Sequence, residues 1–319
     1  MDVEPLRVAA QSAGKLVGAA VPSNLLGDGR YAGVLGRHFN YLTAEYEMKW
    51  DAIERTRGTN NFSAGDAIVA YGQANGMLIK GHALIWHGSV PGWLNALPAA
   101  DFRAAFESHI RSVADHYRGR VIAWDVVNEA IADDGSLRDT IFRQKIGDQY
   151  IADAFRLARQ ADPQALLFYN DYGAEGLNRK SDRIYDLVQG LRAQGVPIDG
   201  VGLQMHISAT NPPSTGSIAA NMSRLASLGL LVNFSEMDVR IRDVPGTLTA
   251  RLDVQKSVYR SIVSVCVAEP RCDGVTFWGF TDAHSWIDAQ FGLDDPLLFD
   301  EQYAAKPAYY GVLDALWRR

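Results

Sequence analysis

The chain has 319 residues, and 31 Lys and Arg against 37 Asp and Glu give it a net charge of −6. Hydrophobic residues at 47% and charged residues at 21% are ordinary globular usage, which excludes disordered and fibrous classes. No run approaches the roughly 20 apolar residues of a membrane span, and the acidic balance disfavours a broad nucleic-acid surface.

The opening Met1-Asp2-Val3-Glu4-Pro5 carries acid where a signal peptide needs base, and no apolar segment follows. The chain is therefore cytosolic or has lost a leader. Beyond it, a short apolar run followed by a longer amphipathic one recurs. Strands are predicted at residues 16–21, 41–46, 78–84, 122–128, 165–170, 200–206, 231–237 and 274–280. Between them, Phe102, Phe106, Ile110, Val113 and Tyr117 recur at helical spacing, as do Ile184, Leu187, Val188 and Leu191, and Val254, Val258, Ile262 and Val265. Gly195 followed by Pro197 stops one of these helices. Strands alternating with helices imply right-handed crossovers and a parallel sheet. Eight such units predict an α/β fold, a single (β/α)8 TIM barrel spanning residues 1–319 as one domain. An open doubly wound sheet is the competitor, but no G-x-G-x-x-G follows the first strand, so the dinucleotide fingerprint is missing.

Polar and aromatic residues collect at the C-terminal ends of seven of these strands. In chain order they are Glu45 and Lys49; His82, Trp86 and His87; Asn128 and Glu129; Asn170, Asp171 and Tyr172; Gln204 and His206; Glu236 and Asp238; and Trp278, Asp282 and Trp286. The strand starts carry no comparable collection. The C-terminal face is where (β/α)8 barrels place catalysis. Glu129 and Glu236 belong to the fourth and seventh strands, nearly opposite across a barrel mouth. Indoles and amides around two carboxylates suit a sugar, whose flat CH faces stack on aromatic rings while its hydroxyls need polar partners. Glycoside hydrolysis needs two carboxyl groups in different protonation states. Asn128 is placed to hydrogen-bond a sugar 2-hydroxyl, and His206, with Asp238 behind it, to keep Glu236 anionic. Cys266 and Cys272 flank a Pro-containing turn; a disulfide and two unrelated thiols both fit that spacing, whereas two Cys without a nearby His do not make a zinc site.

The segments Trp124-Asp125-Val126-Val127-Asn128-Glu129-Ala130, Phe234-Ser235-Glu236-Met237-Asp238 and Gly81-His82-Ala83-Leu84-Ile85-Trp86-His87 resemble motifs of glycoside hydrolase family 10, the endo-β-1,4-xylanase family. Glu45, Met48-Lys49-Trp50, Asn170-Asp171-Tyr172, Gln204-x-His206 and Val275-Thr276-Phe277-Trp278-Gly279 match as well, so the resemblance runs from about residue 16 to 317. It implies a retaining mechanism with Glu236 as nucleophile and Glu129 as acid/base, and hydrolysis of β-1,4-xylosidic bonds without metal or organic cofactor. It also implies a substrate-contacting set of Glu45, Tyr46, Lys49, His82, Trp86, Ser89, Asn170, Tyr172, Gln204, Trp278 and Trp286. In relatives the Cys266-x5-Cys272 pair forms a disulfide, which points to a secreted or periplasmic protein with its leader removed. A monomer acting on polysaccharide or oligosaccharide, with no nucleic-acid or membrane partner, is expected.

Two positions depart from the family pattern. Tyr46 stands where Asn is usual, and Ser89 where Gln is usual. Both contact the sugar one step beyond the cleavage point on the glycone side in relatives, so a reshaped subsite is expected, with a decorated xylan or a related β-glycan as alternative substrate. Two readings from other classes are a metal-dependent hydrolase using His82, His87, His206 and His284, weakened by the lack of His-x-His on the first strand, and a non-catalytic glycan-binding barrel.

Overall fold

The computed structural model describes residues 3–317; Met1 and Asp2, on which the leader reading partly rests, and residues 318–319 of the expected domain lie outside them. Nine parallel strand segments are Leu16–Val21 (β1), Tyr41–Ala44 (β2), Leu78–Trp86 (β3), Ala123–Asn128 (β4), Leu166–Asp171 (β5), Gly200–Leu203 (β6), His206–Ser208 (β7), Leu231–Arg240 (β8) and Cys272–Phe277 (β9). Each pairs with the next from β1 to β6, β6 and β7 both pair with β8, and β9 joins β8 back to β1. Eight staves thus close into a (β/α)8 barrel, and closure leaves no unpaired edge.

The sixth stave corrects the expected continuous strand 200–206. It breaks at Gln204–Met205, where Met205 takes φ +67°. The Met205 N–H leaves the ladder and donates to Glu175 Oε1 at 3.2 Å. Two other expected strands end early. β2 stops at Ala44 and β9 at Phe277, so Glu45, Tyr46 and Trp278 stand on loops at the barrel mouth.

The helix Ala99–Tyr117 buries Phe102, Phe106, Ile110, Val113 and Tyr117, the face its periodicity predicts. The helix Arg179–Ala193 is capped by Asn178, whose side chain accepts from Ser181 N, and Gly195 at φ +69° follows its end. In the helix Leu248–Ala268 the expected face is rotated. Val258 and Ile262 are buried, but Val254 is exposed and Gln255 takes the inward place. Gln255 fits there because its amide donates to the Val239 and Asp295 carbonyls at 2.9 and 2.6 Å. A disulfide joins Cys266, near this helix's end, to Cys272 at the start of β9.

The barrel interior is not wholly apolar below the mouth. Lys80 on β3 and Asp125 on β4 form a buried ion pair at 2.7 Å. Burial also pushes the Asp273 carboxyl on β9 up to about 6, against the opposing charge of Lys80.

Candidate active site

Strand ends and bulges aim the polar side chains into the mouth. The register shifts between His82 and Ile85, between Asp125 and Val127, and again along β8 against β9. Strict alternation would put Asp125 and Asn128 on opposite faces; the irregularity between them lets both turn inward. Glu129 follows β4 at φ +59°, a left-handed conformation that costs a non-glycine residue roughly 1–3 kcal/mol and clusters at functional sites. The Glu129 N–H donating to the Asn170 carbonyl at 2.8 Å holds it there.

The two carboxylates have unlike surroundings. Glu236 on β8 is 5% exposed. Its Oε1 accepts from Asn170 Nδ2 at 2.6 Å and its Oε2 from His206 Nε2 at 3.1 Å. His206 Nδ1 donates to Asp238 Oδ2 at 2.7 Å, and Trp286 Nε1 donates to the same oxygen at 2.8 Å. With both ring nitrogens donating to carboxylates, His206 is a held imidazolium. Burial opposes its charge, but Asp238 and Glu236 prevail and raise it to about 10. Burial likewise pushes Glu236 up, yet the His206 hydrogen bond and the charges of His82, His206 and Lys49 outweigh it and bring the carboxyl down to about 2.

Among the described residues, Glu129 has only neutral partners within hydrogen-bond distance. Gln204 Nε2 and Asn128 Nδ2 donate to Oε1 at 3.0 and 3.2 Å, and Trp86 Nε1 donates to Oε2 at 2.9 Å. A bridge of amides connects the two acids. Asn170 Nδ2 touches both Glu236 and Asn128 Oδ1, the latter at 2.9 Å, and Gln204 Nε2 reaches Asn128 Oδ1 at 3.3 Å.

A cleft of about 270 Å³ opens beside Glu236, lined by Glu45, Tyr46, Lys49, His82, Trp86, His206, Trp278 and Trp286. The Lys49 ammonium lies 4.5 Å from the Trp86 ring centroid and 5.8 Å from that of Trp278. Burial lowers Lys49 and raises Glu45, each partly countered by the other's charge. Tyr172 sits on the Glu129 side instead, where Arg138 donates to its hydroxyl at 3.1 Å and to the Glu129 carbonyl at 3.0 Å. Ser89 is buried and donates to Asp51, outside the set expected from sequence.

Several contributors escaped the sequence reading. Asp125 Oδ2 meets His82 Nδ1 at 2.9 Å, so Lys80, Asp125 and His82 form a buried chain that ends 4.0 Å from Glu236. Ser235 fixes the Asn170 amide through Oδ1 at 2.6 Å. Lys80 and Asp125 lie within strands, and nothing short of the bulges marks them as inward. Among the described residues no three His, Cys, Asp or Glu side chains come together as a metal-binding group.

A closed (β/α)8 barrel with two differently partnered carboxylates, Glu236 buried and Glu129 half-buried, and indoles at its mouth defines a glycoside-hydrolase scaffold. The family model described as Glycosyl hydrolase family 10 matches residues 5–315. The chain belongs to that family. Endo-1,4-beta-xylanase B of Thermotoga neapolitana is 40% identical over 318 residues, covering 98% of this chain and 91% of that protein. An endo-1,4-beta-xylanase of Agaricus bisporus is also 40% identical, covering 96% and 92%. Among solved structures, native xylanase 10B of Thermotoga maritima superposes with a TM-score of 0.94 at 39% identity, covering 98% of each chain. Xylanase 10B of Thermotoga petrophila in complex with xylobiose gives 0.95 at 38%, covering 99% and 98%.

Proposed function

We propose that the protein hydrolyses β-1,4-xylosidic bonds of xylan or xylooligosaccharides by double displacement with retention, using Glu236 as nucleophile and Glu129 as acid/base. It is a glycosidase of the endo-1,4-β-xylanase type. The observation that carries the role assignment is the contrast in partners: Glu236 is paired with the His206 imidazolium, whereas Glu129 accepts only from neutral N–H groups. Glu236 attacks the anomeric carbon while Glu129 gives its proton to the departing glycosidic oxygen. Glu129, now a carboxylate, takes a proton from water, whose oxygen displaces Glu236 and restores both groups. Asn128, hydrogen-bonded to Asn170 and Gln204, is positioned for the sugar 2-hydroxyl; Lys49, His82, Trp86 and Trp278 grip the glycone. Tyr46 and Ser89 give this chain an altered glycone-side subsite.

Proton NMR of xylooligosaccharide hydrolysis tests the mechanism. The β-anomer is expected as the first product; an α-anomer first, or no hydrolysis, refutes the assignment.

The protein acts as a single-domain monomer, in a secreted or periplasmic setting. The disulfide supports an oxidising compartment. Because one similar solved structure, 36% identical, is described as an intracellular xylanase of Thermoanaerobacterium saccharolyticum, fractionation of source cells is the test, and activity confined to the cytosol refutes the location.

A further inference from the structure

The cleft beside Glu236 has one wall that the reaction above does not use. Tyr46 lines it with 43% of its surface exposed. Its hydroxyl donates to Asp51 Oδ2 at 2.8 Å. The other Asp51 oxygen accepts from Ser89 Oγ, and Ser89 is buried. The three form a line: a buried anchor, a bridging carboxylate and an exposed ring. Neither hydroxyl keeps a hydrogen for a ligand, since each has only one to give. Arg55 faces the same phenol oxygen, so the ring face is what Tyr46 has left to offer. The Lys49 ammonium sits 6.0 Å from the centroid of that ring.

This cleft is lined by Glu236 and not by Glu129. The nucleophile attacks the sugar it faces, and the acid protonates the oxygen leaving on the other side. The cleft therefore receives sugars on the glycone side, and Tyr46 stands at its rim.

We propose that Asp51 is a specificity-determining residue: by tying Tyr46 to the buried Ser89 it holds the phenol ring as a stacking wall for the second glycone sugar. That position then grips the CH face of an unbranched pyranose by contact with an aromatic ring, with no amide to donate to the sugar's hydroxyls. The proposal rests on the glycosidase reading. A free Tyr46 would have to lose its rotamer freedom on binding; the tether orders it beforehand.

The experiment compares 4-nitrophenyl β-xylobioside, which fills two glycone positions, with 4-nitrophenyl β-xyloside, which fills one. The readout is the ratio of their kcat/KM values, with kcat and KM followed separately. Tyr46→Phe and Asp51→Leu each break the tether while keeping about the same size, since neither new side chain can donate or accept. Each is expected to lower the ratio about threefold to tenfold, the worth of one hydrogen bond, mainly through KM. The double variant should fall no further than either single one, because both remove the same link. Tyr46→Ala, which deletes the wall, should lower the ratio more. Asp51 sits in the first turn of the helix Trp50–Ile53, so Ser89→Ala serves as a second route to the same loss should Asp51→Leu fail to fold. Ratios within twofold of the unaltered protein for the folded tether variants overturn the proposal, as does additive loss in the double variant. No turnover of either glycoside or of xylan by the unaltered protein overturns the glycosidase reading itself, an outcome distinct from an unchanged ratio.

Discussion

His206→Asn provides a direct test of how the site keeps its nucleophile ionised. Glu236 lies at about 2 instead of 4.5 although burial pushes it upward. That gap is worth about 3 kcal/mol at 1.36 kcal/mol per pH unit. His206 supplies two of the four lowering influences, its hydrogen bond and its charge, with His82 and Lys49 supplying the others. Removing them is expected to raise the Glu236 carboxyl by one to two pH units, because burial is then less opposed. A depressed carboxyl is ionised above its own pKa and loses its charge as pH falls through that value. The acid limb of kcat/KM, which reports the free enzyme, should therefore move up by the same amount. The assay is the pH profile of 4-nitrophenyl β-xylobioside hydrolysis between pH 3 and 8; its good leaving group keeps Glu129's proton from limiting the rate. Activity at pH 3 should fall about two- to tenfold more than activity at pH 6, as the ionised fraction of a carboxyl raised by one to two pH units requires. An acid limb unmoved within 0.3 pH units, with a uniform loss at every pH, refutes the electrostatic role and leaves His206 a purely steric support.

Glu236→Ala should abolish turnover of every substrate, whereas Glu129→Ala should leave a burst of 4-nitrophenol from the activated glycoside and almost no hydrolysis of xylan; equal losses on both refute the division of roles. Replacing Cys266 and Cys272 together by Ala should cost about 2 kcal/mol from the short loop they close, read as a lower denaturant midpoint; an unchanged midpoint refutes the stabilising role. Lys306→Met strips the Asp282 carboxylate of its buried ion pair at 2.6 Å and should destabilise by about 3–5 kcal/mol; a loss below 1 kcal/mol in urea unfolding refutes the pairing. Gly81→Ala would place a Cβ 2.1 Å from the Trp124 ring, so it should destabilise by at least about 1–3 kcal/mol, again in urea.

Strand and helix order, and hence the barrel, were legible because each element carries its own periodicity. Phe102, Phe106 and Ile110 share one helix face, and that face is the one buried. The collection of polar residues at strand ends located the mouth, and the spacing within Asn128-Glu129 and Glu236-x-Asp238 survived folding because neighbours on one strand stay neighbours. Val254 misled because periodicity alone cannot tell a valine from the glutamine beside it when two carbonyls await the amide.

What the chain sequence could not contain was distance between segments. The Asp51 carboxylate, in the segment after β2 that also carries Tyr46, meets Ser89 only because that segment folds against the loop after β3. Lys80 and Asp125 pair only because the bulge turns Asp125 inward and the sheet puts β3 beside β4. The sequence by itself determined the set of chemical groups and their places along each stave, since those follow from local periodicity. Tertiary structure alone decided that the expected His206 is held between Glu236 and Asp238 and that Glu129 meets neutral donors, because hydrogen bonding and burial depend on neighbours brought from other strands.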